Sequence, residues 1–144
     1  MEQSAINKSV RLVDVFFYGL FMDKVLLEEK GCAAINDRLA SVDGFSLRIG
    51  KRATLIPSAN NSVYGIIMSL SHNDIDKLYS EESVSMYRSE AVLVKLSDGT
   101  IVPALCFNLP VPPAPGEHNP DYVVKLKKLA GKLKLPDNYI QSIK

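Results

Sequence analysis

Residues 13–22 read VDVFFYGLFM, and this stretch decides the fold. Its first six residues are mostly β-branched or aromatic, which predicts a buried strand over 13–18. Gly19 ends that run as a turn, and apolar residues at helical spacing then predict a helix over 22–30. A strand that turns directly into a helix leaves backbone N–H groups unpaired, so this corner is a candidate site for a carboxylate or a phosphate.

The chain beyond this unit contains mostly short strands. Alternating apolar residues predict a half-buried strand over 45–49. Runs rich in apolar and β-branched residues predict further strands over 53–56, 63–70, 91–96 and 100–109. The polar cluster SANNS at 58–62 predicts a turn, and Asp98-Gly99 predicts a hairpin between the last two strands.

Helices and one irregular segment account for most of the rest. Ser71 and Asp74 resemble a capping box and predict a short helix over 73–79. Five prolines in residues 110–120 predict a stiff connector, after which Asn119 is a predicted N-cap. An apolar stripe at helical spacing then predicts a helix, and a last short helix follows. The sequence therefore predicts an α+β fold: a small, mostly antiparallel sheet or barrel flanked by helices.

Length and charge restrict the classes of function. A chain of 144 residues predicts a single domain over 1–144, with a lead-in at 1–12, the proline-rich loop at 110–120 and closing helices in 121–144. The formal net charge of +1 provides no overall field for holding nucleic acid or an anionic membrane, so we expect neither partner. Residues 121–144 carry six lysines against two aspartates, which fits the solvated face of a helix or a weak docking surface.

The sequence contains no recognisable targeting segment, disulfide motif or metal-binding motif, which favours an intracellular protein. The sequence has no apolar run of signal-peptide or membrane-span length, which predicts a cytoplasmic protein. Cys32 and Cys106 have no C-x-x-C partner and are predicted to be reduced thiols. His72 and His118 lack metal-ligand spacing, so we expect no metal and no cofactor. Oligomeric state is left open.

Two adjacent acids stand between a predicted helix and a predicted strand. Glu81 and Glu82 are followed by Met86, Tyr87 and Arg88. Composition alone favours the interpretation that the two acids are solvated loop carboxylates. In a cavity, either acid would be a candidate general acid/base.

Six motifs in order resemble the gamma-glutamylcyclotransferases and their AIG2-like relatives, over about residues 15–140. The motifs are Tyr18-Gly19 at the end of a strand, VYGII at 63–67 followed by Ile75-Asp76-x-Leu78, an acid-x-x-x-Met86-Tyr87-Arg88 run, a hairpin with a proline loop, NPDY at 119–122, and LPDNYI at 135–140. The resemblance implies a small β-barrel with flanking helices. It also implies release of 5-oxoproline and a free amine from a γ-glutamyl amine or dipeptide.

The resemblance also assigns roles to residues. It implies that the turn of Tyr18, Gly19, Leu20 and Phe21 binds the glutamyl moiety through backbone amides, and that Glu82 is the general acid/base. By the same resemblance, Tyr87 and Tyr122 line the substrate pocket. Register from Leu78 selects Glu82 as the acid, whereas a slip of one residue selects Glu81.

Three functions are open at this point. The first is the cyclotransferase acting on a γ-glutamyl substrate. The second is a non-catalytic small-molecule binding module of the same fold that has lost the positioned acid. The third is a protein-interaction domain that uses the lysine-rich C-terminal helix.

Overall fold

The structure is a computed structural model, and it describes residues 10–144. Within these residues five strands form a closed barrel in the order β1-β3-β2-β4-β5, and four helices flank it. The strands are β1 (Leu12–Phe17), β2 (Ile35–Ile49), β3 (Ala53–Ser71), β4 (Arg88–Leu96) and β5 (Ile101–Asn108). The helices are α1 (Lys24–Glu29), α2 (His72–Leu78), α3 (Pro120–Lys132) and α4 (Asp137–Ser142). The predicted α+β class and small barrel are confirmed, while residues 1–9 of the predicted lead-in lie outside the described part.

Antiparallel pairing dominates the barrel. Strand β3 pairs with β2 on both sides of residues 58–61 and, through residues 66–71, with β1, while β4 pairs along its length with β5. Two shorter contacts close the ring: β2 meets β4 at Ala40 and Ser41, and β1 meets β5 in parallel where Val15 lies opposite Leu105. The mostly antiparallel character expected from many short, turn-separated strands is therefore present.

The core lies inside the barrel and under α3. Phe16, Ile67 and Met68 on β1 and β3 are among its largest fully buried side chains, and Leu126 on α3 covers the same core. Apolar burial of this kind contributes roughly 1.5–3 kcal/mol for each large side chain. Cys106 is a buried free thiol, as predicted. Its pKa is raised to about 12, mainly by burial and to a smaller extent by the nearby Glu90 charge.

The predicted turn at 58–62 is wrong. Strand β3 runs without interruption through this polar cluster, and β2 begins at Ile35, ten residues before the predicted strand. Strand β2 pairs with β3 on both sides of the cluster, at Asp43 with Ser62 and at Phe45 with Pro57, and Ser62 Oγ lies 2.7 Å from Asp43 Oδ1. Residues 58–61 have no partner in β2 and bulge from β3, where Asn60 has a positive φ (66°) and Asn61 Nδ2 donates to Ser58 Oγ (2.6 Å). The true turn between the two strands lies at residues 50–52.

The other local predictions are close to the structure. The hairpin at Asp98-Gly99 is confirmed, with Gly99 at φ 88°. In α2 the Ser71 Oγ accepts a hydrogen bond from the Asp74 amide (3.1 Å), but Asp74 Oδ2 accepts from the Ala33 amide (2.9 Å) instead of reaching back to Ser71. The helix predicted over 22–30 is shorter, because a 3-10 turn precedes it and Asp23 caps α1.

The proline-rich loop packs against the β2–β3 turn, which we call the hairpin tip (residues 50–52). Glu117 Oε1 accepts a hydrogen bond from the Lys51 amide (3.0 Å), and its Oε2 accepts from the Ala114 amide (2.9 Å). Arg48 donates to the Ala114 carbonyl (3.1 Å), and Asn119 Nδ2 donates to the Lys51 carbonyl (3.3 Å). The loop thus fixes the position of the hairpin tip.

Asn119 has two separable bonds, which gives a test of this arrangement. Its Oδ1 accepts from the Tyr122 amide (3.2 Å) as the N-cap of α3, while its Nδ2 bonds the hairpin tip. We expect Asn119→Ala to lower the free energy of unfolding by about 0.5–2 kcal/mol, since it removes the cap. Asn119→Asp keeps the cap acceptor and should cost less. Urea unfolding measures both, and equal losses would contradict the assignment of the stability to the cap.

Candidate functional site

A cavity of about 320 Å³ opens between the turn after β1, the hairpin tip and the loop that follows α2. Its wall is mainly aromatic. The aromatic residues that line it are Phe16, Phe17, Tyr18, Phe21, Tyr79, Tyr87, Phe107 and Tyr122. Four charged residues also line it: Lys30, Lys51, Arg52 and Glu81. An apolar cavity with a few convergent polar groups is the usual form of a small-molecule site.

The aromatic wall is fixed by ring packing. The rings of Tyr79 and Phe107 stack with centroids 3.9 Å apart and an interplanar angle of 13°. Phe21 packs edge-on against Tyr79 (5.8 Å) and against Phe17 (6.3 Å). Such pairs stabilise beyond the area that they bury, by about 0.5–1.5 kcal/mol each. These contacts join the turn after β1 to strand β5 through the loop that carries Tyr79.

The tyrosine hydroxyls in the cavity are held by backbone carbonyls. Tyr18 Oη donates to the Phe107 carbonyl (2.7 Å), and Tyr87 Oη donates to the Ala53 carbonyl. Burial raises the pKa of both phenols, so both are neutral at physiological pH. Burial likewise raises the pKa of Tyr122 to about 12, with the Leu20 backbone acting in the opposite direction.

The turn after β1 contributes the backbone of the site. Residues Leu20–Met22 form a 3-10 turn in which the Met22 amide donates to the Gly19 carbonyl (3.0 Å). The amides of Leu20 and Phe21 therefore have no acceptor inside the turn. Gly19 lies against the end of Tyr122, because a Cβ added to Gly19 would be 2.5 Å from Tyr122 Oη. This close approach explains why the position holds glycine.

Both adjacent acids are exposed, but Glu81 lines the cavity and Glu82 does not. Glu81 Oε1 forms an ion pair of 2.7 Å with Lys30 Nζ, and the side chains are 43% and 27% exposed, respectively. A turn closed by the Val84 amide and the Glu81 carbonyl (3.0 Å) follows directly. The six residues expected to bind substrate, Tyr18, Gly19, Leu20, Phe21, Tyr87 and Tyr122, all line the cavity. The structure does not bring Glu82 together with them.

Several lining residues carried no signal in the sequence. Lys30 was predicted only as the end of a helix, and Lys51 and Arg52 lie in a turn that the sequence did not place. In the sequence, Tyr79 and Phe107 cannot be distinguished from ordinary apolar residues of a helix and a strand. Only their meeting across the barrel end, set by long-range pairing, reveals a shared site.

Two other features of residues 10–144 bear on function. No group of three or more His, Cys, Asp or Glu side chains there is arranged to hold a metal ion. None of the helices in that span is both long and apolar enough to cross a membrane.

The model of the family described as gamma-glutamyl cyclotransferase, AIG2-like, matches residues 15–124, and the chain belongs to this family. Solved structures agree on the fold. A structure described as a gamma-glutamyl cyclotransferase superposes with a TM-score of 0.77 at 18% identity, covering 93% of this chain and 89% of that one. An uncharacterized protein from Homo sapiens gives 0.75 at 19% identity, covering 92% and 88%. An AIG2-like protein from Mus musculus gives 0.56 at 18% identity, covering 77% and 90%. A search of curated proteins gave no significant match.

Proposed function

We propose that the protein is a cyclotransferase that converts a γ-glutamyl amine or dipeptide into 5-oxoproline and the free amine. Family membership supports this class of reaction. The observation that carries the proposal is the presence of one carboxylate, Glu81, in the same aromatic cavity as the Gly19–Phe21 turn. That pair of features matches the needs of an intramolecular cyclisation.

The substrate brings its own nucleophile. The α-amine of a γ-glutamyl compound can attack the γ-carbonyl carbon of the same residue and close a five-membered ring. Proximity is therefore built into the substrate, and a nucleophilic side chain from the protein is not required. The new bond joins the α-nitrogen to the γ-carbonyl carbon (Cδ), and the bond that breaks joins that same carbon to the leaving nitrogen.

Glu81 would move the proton that this exchange requires. At neutral pH the α-amine is an ammonium and cannot attack until it loses a proton. In our proposal the Glu81 carboxylate accepts that proton and passes it to the departing nitrogen, and it then carries a second proton from the ring nitrogen to the same atom. The amine therefore leaves as an ammonium, and the carboxylate is regenerated. Lys30, 2.7 Å from Glu81, fixes the orientation of the carboxylate through their ion pair. We assign this role to Glu81 and not to Glu82, because Glu81 lines the cavity and Glu82 does not.

The turn after β1 would hold the glutamyl half of the substrate. The Phe21 amide is suited to a carboxylate, as at other unpaired turn amides, whereas the Leu20 amide faces the Tyr122 hydroxyl and lowers its pKa. Tyr87 and Tyr122 would enclose the carbon chain of the glutamyl residue, since both are neutral phenols against the same cavity. Members of the family usually have a small hydroxyl residue where this chain has Leu20, so glutamyl binding here would rely on the backbone.

Release of 5-oxoproline tests the proposal. Purified protein is incubated with a panel of γ-glutamyl amines and γ-glutamyl amino acids, and 5-oxoproline is quantified by chromatography. We expect product from at least one class, with the free amine released in equal amount. Saturable binding without product would instead indicate the non-catalytic binding module, and absence of both would contradict a γ-glutamyl site.

A further inference from the structure

The acid of the cavity lies in a short turn, which we call the acid turn (residues 81–84). The Val84 amide donates to the Glu81 carbonyl (3.0 Å) and closes this turn. Lys30 pairs with the Glu81 carboxylate, but both side chains are partly exposed, and ion pairs of this kind constrain a loop weakly. The direction in which Glu81 points therefore depends also on what holds the backbone of the acid turn.

Arg52 joins the acid turn to the hairpin tip. Its Nε donates to the Ser83 carbonyl (2.7 Å), and this is the one hydrogen bond that its side chain makes within residues 10–144. The peptide group between Ser83 and Val84 is therefore held at both ends, because its carbonyl accepts from Arg52 and its N–H donates to Glu81. Hydrogen bonds from a charged donor are stronger than those from a neutral one, which suits Arg52 to fixing this peptide group.

The backbone around Arg52 is itself fixed. The Gly50 amide donates to the Arg52 carbonyl (3.1 Å), and Tyr87 Oη donates to the carbonyl of the next residue, Ala53. The proline-rich loop bonds the amide and the carbonyl of the preceding residue, Lys51. A side chain that extends from a fixed backbone can hold its partner in a defined place. Through Arg52, the acid turn is thus held relative to the barrel.

We propose that Arg52 is a positioning residue, which holds the Ser83–Val84 peptide group and thereby keeps Glu81 directed into the cavity. The inference rests on the proposed function of Glu81 and adds the group that sets its place. Proton transfer requires the acid within hydrogen-bond reach of the proton that it moves, so a small displacement of the acid turn lowers kcat. Because Arg52 also lines the cavity, the test has to separate this role from a direct contact of its charge with the substrate.

Three substitutions separate the Nε donor of Arg52 from its charge. In glutamine an amide nitrogen is bonded to Cδ, where arginine has Nε, so Arg52→Gln keeps a donor for the Ser83 carbonyl and loses the charge. Arg52→Lys keeps the charge but has a methylene group at that position. Arg52→Met has a similar length and keeps neither the donor nor the charge.

Turnover of γ-glutamylglycine, or of the panel member that the parent protein converts fastest, is measured for each variant. We expect kcat to fall about 10–100-fold in Arg52→Lys and Arg52→Met, with KM within about threefold of the parent, and to stay within about threefold in Arg52→Gln. Lys128→Met removes a positive charge from an exposed position on α3 outside the cavity and should leave kcat unchanged. A kcat in Arg52→Gln that is as low as in Arg52→Met, or lower than in Arg52→Lys, would overturn the positioning role.

Hydrogen exchange tests the same contact without turnover. The Val84 and Tyr87 amides are bonded within the loop (3.0 and 3.2 Å), and mass spectrometry of peptides covering residues 80–88 measures their exchange. We expect about tenfold faster exchange in Arg52→Met and Arg52→Lys, and exchange like that of the parent in Arg52→Gln and Lys128→Met. Exchange in Arg52→Met that equals the parent's would overturn the inference, whatever the turnover. The expected exchange pattern in a protein that releases no 5-oxoproline would overturn the proposed function and leave Arg52 as the residue that holds the acid turn.

Discussion

Glu81→Gln is expected to lower kcat/KM for 5-oxoproline release by about 100-fold or more, the range that a positioned general acid/base contributes. The amide keeps the size of the side chain and can remain near Lys30, but it cannot accept the proton of the α-ammonium. Glu81 is the only acid that lines the cavity within residues 10–144, so we expect no neighbouring carboxylate to substitute for it.

Glu82→Gln is the matched control for this experiment. It is the same substitution at the next residue, where the side chain is exposed, and it should leave kcat/KM within about twofold of the parent. Circular dichroism and thermal unfolding of both variants would show that each is folded. A large loss in Glu82→Gln with little change in Glu81→Gln would reverse our assignment and restore the acid that the register from Leu78 selects.

Gly19→Ala is the second change with a large expected effect. The added Cβ would lie 2.5 Å from Tyr122 Oη, closer than atoms can approach without movement. Gly19 has φ −116°, which an alanine can adopt, so the effect is steric and not a matter of backbone strain. Overpacking of this kind costs about 1–3 kcal/mol, and displacement of either residue would also disturb the turn that is proposed to hold the glutamyl half.

Tyr122→Phe supplies the compensating change. Once the hydroxyl is absent, the nearest Tyr122 atom to the new Cβ is the ring carbon Cζ, at an ordinary contact distance of 3.8 Å. We therefore expect Gly19→Ala to be much less harmful in the Tyr122→Phe background than in the parent protein. A double-mutant cycle on the free energy of unfolding measures this coupling. Additive effects of the two substitutions would contradict the close approach of Gly19 and Tyr122.

Local sequence patterns predicted most of the elements of this fold. The strand before Gly19, the Asp98-Gly99 hairpin and the Asn119 cap each depend on a few adjacent residues, and the structure contains them. The error at 58–62 has a different origin. Turn-forming residues there are exposed on a long hairpin arm, where residues 58–61 bulge from β3 and pairing with β2 on both sides of the bulge continues the strand. Local propensity could not reveal that partner.

The site was predictable to a similar extent. The resemblance named the turn after β1 and the tyrosines Tyr87 and Tyr122, and these residues share one cavity. The choice between Glu81 and Glu82 depended on how a short loop turns, because neighbouring residues in a turn point in different directions. Lys30 and Arg52 reach the cavity from segments distant in sequence from that loop, so no motif could have connected them to the acid.

The proline-rich loop controls the position of the hairpin tip independently of the aromatic wall and the acid of the cavity. It fixes the hairpin tip from the outer surface, while the aromatic wall and the acid belong to other segments. Surface loops tolerate substitution and insertion better than packed walls. Under the proposed function, divergence in this loop would move Lys51 and Arg52, which line the cavity, and alter which amines are accepted, while the aromatic wall stays in place. Relatives with this barrel could thus acquire new substrates through mutations that never touch the cavity.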